Sequence, residues 1–121
     1  MIGWKLAMTD PAANHKGVAT KCGKGAAWFG WSSANRVGVA SYRLVGKGTA
    51  TLVYGNCWNA GKVNVYLNGK RIASAAPNHP DNKIVIPFTN GGLLELKDEG
   101  GNAVIKISSL VIKCDSKWLG R

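Results

Sequence analysis

The residues best suited to binding chemistry lie on a predicted β-hairpin between Lys62 and Ala73. Asn68 and Gly69 join two runs of alternating apolar residues there, which is the strongest two-residue hairpin signal in the chain. Because side chains alternate across a strand, the residues between the apolar ones project from the opposite face. The hairpin therefore predicts one polar face on a rigid ribbon.

This polar face combines an aromatic ring, an amide and several cations. A two-residue turn places Tyr66 opposite Arg71 and Asn64 opposite Ala73, on the face away from Val65 and Ile72. Ammonium and guanidinium groups bind carboxylates and phosphates, so the face suits an acidic sugar, a phosphate or an acidic protein surface. A solvated strand face is the alternative interpretation. The predicted ligand-binding residues are Lys62, Asn64, Tyr66, Lys70 and Arg71.

The charge of the whole chain favours an anionic partner. Its 16 Lys and Arg residues outnumber six acids, which gives a net charge of +10. Residues 1–80 contain ten of these cations and a single acid, Asp10, whereas residues 81–121 are nearly neutral. A field of this sign attracts polyanions. Solubility alone is the alternative explanation.

Catalytic groups are sparse in the sequence. His15 and His79 are the residues that titrate near neutral pH, and both lie in loop-like sequence rich in Asn and Pro. Asp98 and Glu99 are adjacent in a predicted turn, so their carboxyl groups point in different directions rather than across a cleft. The sequence has no complete EF-hand loop, phosphate loop or nucleophile elbow. We therefore predict a protein that is not an enzyme, without catalytic residues, a metal site or a cofactor.

Five tryptophans suggest a second kind of binding. An exposed indole ring stacks on a sugar ring because it presents a flat apolar face. A carbohydrate-binding, lectin-like module that uses exposed tryptophans is therefore the alternative functional prediction. In the purely structural interpretation, most of these rings fill the core of a thin β-sandwich. The five residues are Trp4, Trp28, Trp31, Trp58 and Trp118.

The elements that position all these residues are predicted to be strands. Apolar residues recur with period two, and no segment combines a helical period with a cap. Pro87 cannot donate to a ladder, so its strand is expected at a sheet edge. The alternation slips between Ile107 and Leu110, which predicts a β-bulge at Ser108 and Ser109. The apolar sets are Ala50, Leu52 and Tyr54; Val63, Val65 and Leu67; and Ile84, Ile86 and Phe88.

Glycine-rich turns separate these strands at spacings typical of a sandwich. They include residues 46–48, 90–92 and 98–102. We predict an all-β fold, an antiparallel, jelly-roll-like β-sandwich of eight to ten short strands with negligible helix. The length suits a single domain that spans residues 1–121. No run approaches the roughly 18 apolar residues that a membrane helix needs.

The number and spacing of the cysteines help to predict whether the protein is located inside or outside the cell. Cys22, Cys57 and Cys114 have no metal-ligand spacing, which leaves one disulfide with one further cysteine, or three thiols. We favour the disulfide and a secreted, extracellular protein, because small β domains rich in Gly and Trp are common outside the cell. The N-terminus has no apolar core of a signal peptide, so we expect either an intracellular protein or a mature or recombinant form from which a leader was removed. The sequence does not define which cysteines pair.

The segment from Tyr54 to Ala73, with its Val-x-Val-Tyr-Leu-Asn-Gly hairpin at 63–69, resembles small jelly-roll modules of the lectin and laminin-G type. In those families the hairpin forms two central sandwich strands, so the resemblance implies the same fold. As a short, basic β-sandwich, the chain is also similar in character to silintaphin-like accessory proteins of sponge silica filaments. That similarity implies a matrix scaffold with silica or an acidic protein as its partner.

Together these features predict a non-catalytic extracellular scaffold or interaction protein that binds an anionic partner through a basic face. The expected partner is an acidic protein, an acidic glycan or a mineral such as silica, with a protein of the same assembly as a further partner. A membrane is not expected as a partner, and nucleic acid is disfavoured because no recognised binding motif is present.

Overall fold

The computed structural model describes residues 4–8, 17–19, 26–28, 38–57, 61–99 and 104–114. These residues form ten β-strands and contain no helix, so the all-β prediction is confirmed. The part of the chain described here likewise holds no helix with the length and apolar character required to cross a membrane. The strands are β1 (Lys5–Met8), β2 (Gly17–Ala19), β3 (Ala26–Trp28), β4 (Gly38–Leu44), β5 (Gly48–Asn56), β6 (Lys62–Leu67), β7 (Lys70–Ala75), β8 (His79–Phe88), β9 (Gly92–Glu99) and β10 (Val104–Cys114).

The strands form two antiparallel five-stranded sheets. The first sheet has the order β1-β4-β9-β6-β7, and the second has the order β2-β3-β10-β5-β8. From β4 onward the chain changes sheet at almost every connection, so neighbours within a sheet come from distant parts of the sequence. This arrangement places β7 at one edge of the first sheet and β8 at one edge of the second. The predicted edge position of the strand that contains Pro87 is therefore confirmed.

The core lies between the inward faces of the two sheets. The predicted apolar sets of β5, β6 and β8 all point into it, with Leu67 and Ile84 only partly buried at its margin. Burial raises the pKa of the Tyr54 hydroxyl. The buried apolar residues are Ala40, Leu44, Ala50, Leu52, Tyr54, Val63, Val65, Ala75, Ile86, Phe88, Leu94, Leu96, Ile105 and Ile107.

Strand β10 contains the predicted bulge. Ile107 pairs with Tyr54 and Ser109 pairs with Val53, so Ser108 is the extra residue in the ladder. The extra residue shifts the alternation by one position. As a result Leu110, like Ile107, packs against the core.

The turn between β6 and β7 has the predicted geometry. Asn68 and Gly69 both have positive φ, at 52° and 82°, which is the type I′ turn that matches strand twist. The side chain of Asn68 is also bonded to the adjoining strand, because its Oδ1 accepts a hydrogen bond of 2.9 Å from the backbone N–H of Leu93. The turn and the adjoining strand β9 therefore hold the hairpin in place.

The predicted register of this hairpin is correct near the turn and wrong beyond it. Tyr66 lies opposite Arg71 as expected. Asn64, however, lies opposite Ser74 and not Ala73, because Ile72 is an extra, bulged residue in β7. A bulge in an edge strand displaces every later pair by one residue.

Asp98 and Glu99 end strand β9 instead of forming a turn, because the ladder with β6 continues through Val63 and Lys62 to these two residues. His79 begins strand β8, where it is exposed, and is not in a loop. Cys57 is disulfide-bonded, whereas Cys114 is a free, exposed cysteine at the end of β10.

Candidate functional site

The outward face of the first sheet brings predicted binding residues together with residues of β9 that the sequence did not indicate. Three outward-facing pairs form between β6 and β9: Lys62 with Glu99, Asn64 with Lys97, and Tyr66 with Glu95. On the other side of β6, Arg71 lies opposite Tyr66. We call these seven residues the Tyr66 face.

Glu99 links two other residues of the Tyr66 face, Asn64 and Tyr66, through hydrogen bonds. Its Oε1 accepts a hydrogen bond of 2.9 Å from Asn64 Nδ2, and the same oxygen accepts a short hydrogen bond from the Tyr66 hydroxyl. Because Glu99 lies opposite Lys62, the ring of Tyr66 extends along β6 to reach it. Asn64, which lies between them, is only 7% exposed. Ring, amide and carboxylate thus form one preorganised cluster.

The Tyr66 hydroxyl is a neutral donor at physiological pH. Its hydrogen bond to Glu99 raises the pKa of the phenol most, and burial and the negative charges of Glu99 and Glu95 act in the same direction. Arg71 lowers this pKa, but its effect is smaller. Both Glu95 and Arg71 are therefore close enough to influence the hydroxyl, and so they belong electrostatically to the same site.

The Tyr66 ring carries a cation on its face. The ammonium Nζ of Lys97 lies 4.5 Å from the ring centroid. At exposed sites such a contact is worth about 0.5–1 kcal/mol, which a competing ligand can replace. Lys97 is only partly buried and its side chain is long and flexible, so the ring is covered by a group that can move aside.

Asn64 has a buried acceptor with no donor. A carboxylate only accepts hydrogen bonds, so Nδ2 must face Glu99, and Oδ1 must point elsewhere. This Oδ1 is buried and accepts no hydrogen bond from the described residues. An unsatisfied buried acceptor costs about 1–3 kcal/mol. Because this oxygen is buried, a ligand on the open surface does not reach it in this arrangement.

The structure places the five predicted binding residues in two groups. Lys62, Asn64, Tyr66 and Arg71 share the Tyr66 face, whereas Lys70 lies opposite Leu67 and therefore on the other side of the hairpin. Lys62, Lys70 and Arg71 are all exposed.

The Tyr66 face is not the uniformly cationic surface that the hairpin sequence suggests. Strand β9 interleaves Glu95 and Glu99 with the cations. The alternation of polar Glu95, Lys97 and Glu99 with buried Leu94, Leu96 and Asp98 marks a common outward face, but it does not reveal that β9 pairs with β6. The sequence therefore does not indicate that Glu95, Lys97 and Glu99 lie beside β6.

The other candidate residues do not join this site within the described part of the chain. Trp4 packs against the core and contacts Tyr42, with ring centroids 5.4 Å apart, which supports the structural interpretation for this ring. The side chains of the remaining four tryptophans, together with His15 and Cys22, lie outside the described residues. Among the residues that are described, no three His, Cys, Asp or Glu side chains are grouped to hold a metal ion.

Comparison with known proteins gives matches in structure only. No family model and no curated protein matches the chain, so the resemblances to lectin and laminin-G modules and to silintaphin-like proteins gain no support from sequence. The β-sandwich itself is established by the strands.

Three of the similar solved structures are carbohydrate binding modules. CBM35 from Paenibacillus barcinonensis has a TM-score of 0.49 and 16% identity, over 89% of this chain and 94% of that one. A family 35 module from an environmental isolate has a TM-score of 0.49 and 14% identity, over 95% and 94%. The family 35 module from Clostridium thermocellum has a TM-score of 0.43 and 12% identity, over 92% and 99%. Similarity at this level carries no conclusion about what this chain binds.

Proposed function

We propose that this protein is a non-catalytic carbohydrate-binding module that holds a glycan on the Tyr66 face. The observation that carries the proposal is the cluster of Tyr66, Asn64 and Glu99 on an open sheet surface. A pyranose has apolar C–H groups that stack on an aromatic ring and hydroxyls that bond to amides and carboxylates. Carbohydrate binding is also the function named for the similar solved structures, but the proposal rests on the site itself.

The polar groups of the Tyr66 face match the hydroxyls of a sugar. Glu95 offers carboxylate oxygens that accept hydrogen bonds, and the exposed guanidinium of Arg71 donates them. Each sugar hydroxyl both donates and accepts, so a face of mixed polarity suits it better than it suits a ligand with only negative charges. In this proposal the sugar ring displaces Lys97 and stacks on Tyr66.

The arrangement of the carboxylates supports binding without catalysis. Glu95 and Glu99 lie four residues apart on β9 and project from the same side of the sheet. Glycoside hydrolysis uses two carboxyl groups roughly 5–10 Å apart on either side of the bond that breaks. Here the two project from the same flat face, and Glu99 is committed to two hydrogen bonds.

Binding of an anionic partner is the second candidate function. Lys62 and Arg71 are exposed on the Tyr66 face, and Lys70 is exposed beside the turn. Glu95 and Glu99 lie between these cations and weaken the positive field. Attraction between exposed charges is screened beyond about 10 Å at 0.1 M salt, so this mechanism predicts binding that falls steeply as salt rises.

Secretion belongs to the same proposal. Cys57 is disulfide-bonded, and disulfides form and persist mainly in oxidising compartments outside the cytosol. An extracellular location is also where a module with a polysaccharide ligand would meet it.

A binding panel distinguishes the two candidate functions. The wild-type protein is tested against neutral glycans, acidic glycans, silica and nucleic acid at two salt concentrations. We expect binding to a neutral glycan that changes less than twofold with salt and falls more than tenfold in Tyr66→Ala. Val111→Ala, an exposed change on the second sheet, is the control and should bind normally.

The opposite pattern would overturn the glycan proposal. It consists of salt-sensitive binding to polyanions only, lost when Lys62, Lys70 and Arg71 are all replaced by Ala and retained in Tyr66→Ala. That result would establish the anionic-partner function instead.

A further inference from the structure

A second surface with a different chemistry lies between the free edges of the two sheets. Strand β7 ends the first sheet and β8 ends the second, and a groove of about 450 Å³ runs between them. This volume is within the range of about 300–1,000 Å³ that is typical of ligand pockets. We call it the edge groove. The described residues that line it are all apolar: Leu67, Ile72, Ile84, Val85, Ile86 and Pro87.

The edge groove exposes large aliphatic side chains to solvent. Ile72, the bulged residue of β7, is 41% exposed, and Val85 is 62% exposed. These are two of the four large apolar residues that are exposed within the described residues. A groove lined by apolar side chains next to a sheet edge can accommodate apolar side chains of another molecule.

The charged residues that adjoin the lining residues of the edge groove in sequence are positive. Within two positions of a lining residue, the charged residues are Lys70, Arg71 and Lys83, and all three are exposed. Lys70 lies on the same side of the hairpin as Leu67, which lines the groove. The nearest acid along β8, Asp81, is bonded to Lys106 and Ser108 on the outward face of the second sheet. Negative charge on a partner would therefore complement these cations.

The backbone at this position favours an extended partner. Edge strands present unpaired N–H and C=O groups along their free side, which extended peptides use. Pro87 and the bulge at Ile72 interrupt both edges, which discourages continuous pairing with an arbitrary strand. Recognition must then depend on side chains that enter the groove, in addition to the backbone.

We propose that the edge groove docks an extended segment of a partner protein in which aliphatic and acidic residues alternate. The aliphatic side chains fill the groove, and the acidic ones pair with Lys70 and Lys83. A second copy of this chain docked by the same groove would bring the same cations against this rim, which disfavours it. A flat bilayer does not fill a concave groove.

The test uses two short blocked peptides, one that alternates leucine with glutamate and one that alternates leucine with lysine. Binding to the full chain is followed by backbone amide shifts in NMR. The acidic peptide should bind and shift the amides of β7 and β8, and the basic peptide should not. Ile72→Asp should weaken binding at least tenfold, and Lys70→Glu combined with Lys83→Glu should weaken it about tenfold.

Matched controls separate this proposal from charge effects and from the glycan site. Lys5→Glu combined with Lys113→Glu makes the same change in net charge at exposed sites outside the groove, and should bind the acidic peptide as wild type does. The groove variants should also keep the wild-type glycan affinity. If Ile72→Asp does not fold, the charge-reversal pair supplies the same test.

Three results would overturn the proposal. The first is equal binding of the acidic and basic peptides, or binding that the groove variants do not change. The second is no peptide binding but binding to anionic phosphatidylserine vesicles that the groove variants abolish. The third is a concentration-dependent dimer of the wild-type chain that Ile72→Asp dissociates, since this would make a second copy the occupant.

Discussion

The outer faces of the two sheets each contain one carboxylate that accepts hydrogen bonds from two side chains, and the two clusters differ in burial. On the first sheet, Glu99 accepts from Asn64 at 2.9 Å and from Tyr66 in a shorter bond, and Asn64 is almost fully buried. On the second sheet, Asp81 accepts from Lys106 and Ser108, both at 3.3 Å, and its side chain is 61% exposed.

This comparison shows why the first face is the better candidate for a binding site. A hydrogen bond or ion pair to a carboxylate contributes little free energy where water competes for both groups, and more where the partners are buried. The cluster around Glu99 is fixed before any ligand arrives, so less conformational entropy is lost on binding. The cluster around Asp81 contributes a solvated ion pair.

The largest expected difference between the two clusters is in stability. Glu99→Ala leaves Asn64 with a buried amide that lacks its acceptor, which should cost about 1–3 kcal/mol of unfolding free energy. Asp81→Ala removes an exposed pair and should cost less than about 1 kcal/mol. Urea denaturation of the two variants measures both values. Equal losses would mean that Glu99 is no more than a surface charge.

A smaller effect on the free energy of unfolding is expected at high pH, where Tyr66 loses its proton. The folded protein holds the Tyr66 proton more tightly than the unfolded chain does, so the stabilisation from this group is complete below about pH 10 and is lost as pH rises through the raised pKa. Tyr66→Phe removes this contribution, about 1 kcal/mol for one hydrogen bond, and should flatten the alkaline part of the stability curve. Tyr54 keeps its own raised pKa in both proteins and serves as the internal reference. Parallel alkaline curves for wild type and variant would show that the Tyr66–Glu99 bond does not form in solution.

The smallest expected effect is on glycan affinity, and it tests the role of Lys97. If a sugar displaces this ammonium from the Tyr66 ring, Lys97→Gln removes a competitor and should raise neutral-glycan affinity about two- to fivefold, the equivalent of 0.5–1 kcal/mol. Lys83→Gln, on the second sheet, is the matched change and should have no effect. Isothermal titration calorimetry measures both affinities. Weaker binding in Lys97→Gln would instead make Lys97 a direct ligand contact.

The features that sequence predicted correctly are governed by near neighbours in the chain. Asn68 and Gly69 define their turn through their own φ values, Pro87 requires an edge position, and the slip in alternation around Ser108 requires a bulge. Each depends on the geometry of a few consecutive residues, which composition and order determine.

The features that sequence did not predict depend on pairing between distant strands. Glu99 is 33 residues from Tyr66, and only the ladder between β9 and β6 brings them together. That ladder also extends β9 through Asp98, a charged residue in glycine-rich sequence that turn chemistry alone assigns to a loop. The Ile72 bulge likewise reflects the packing of an edge strand, which no local pattern encodes.

The most direct test of the central claim is an NMR titration of the labelled protein with neutral oligosaccharides. If a glycan binds the Tyr66 face, chemical shift changes should occur in β6 and β9 and centre on Asn64, Tyr66 and Lys97, in the absence of comparable changes at Val85 in β8. Tyr66→Ala should abolish these changes. Glycan binding at the Tyr66 face would be ruled out by shifts confined to the second sheet, or by no shifts with any neutral oligosaccharide while a polyanion perturbs Lys62 and Arg71.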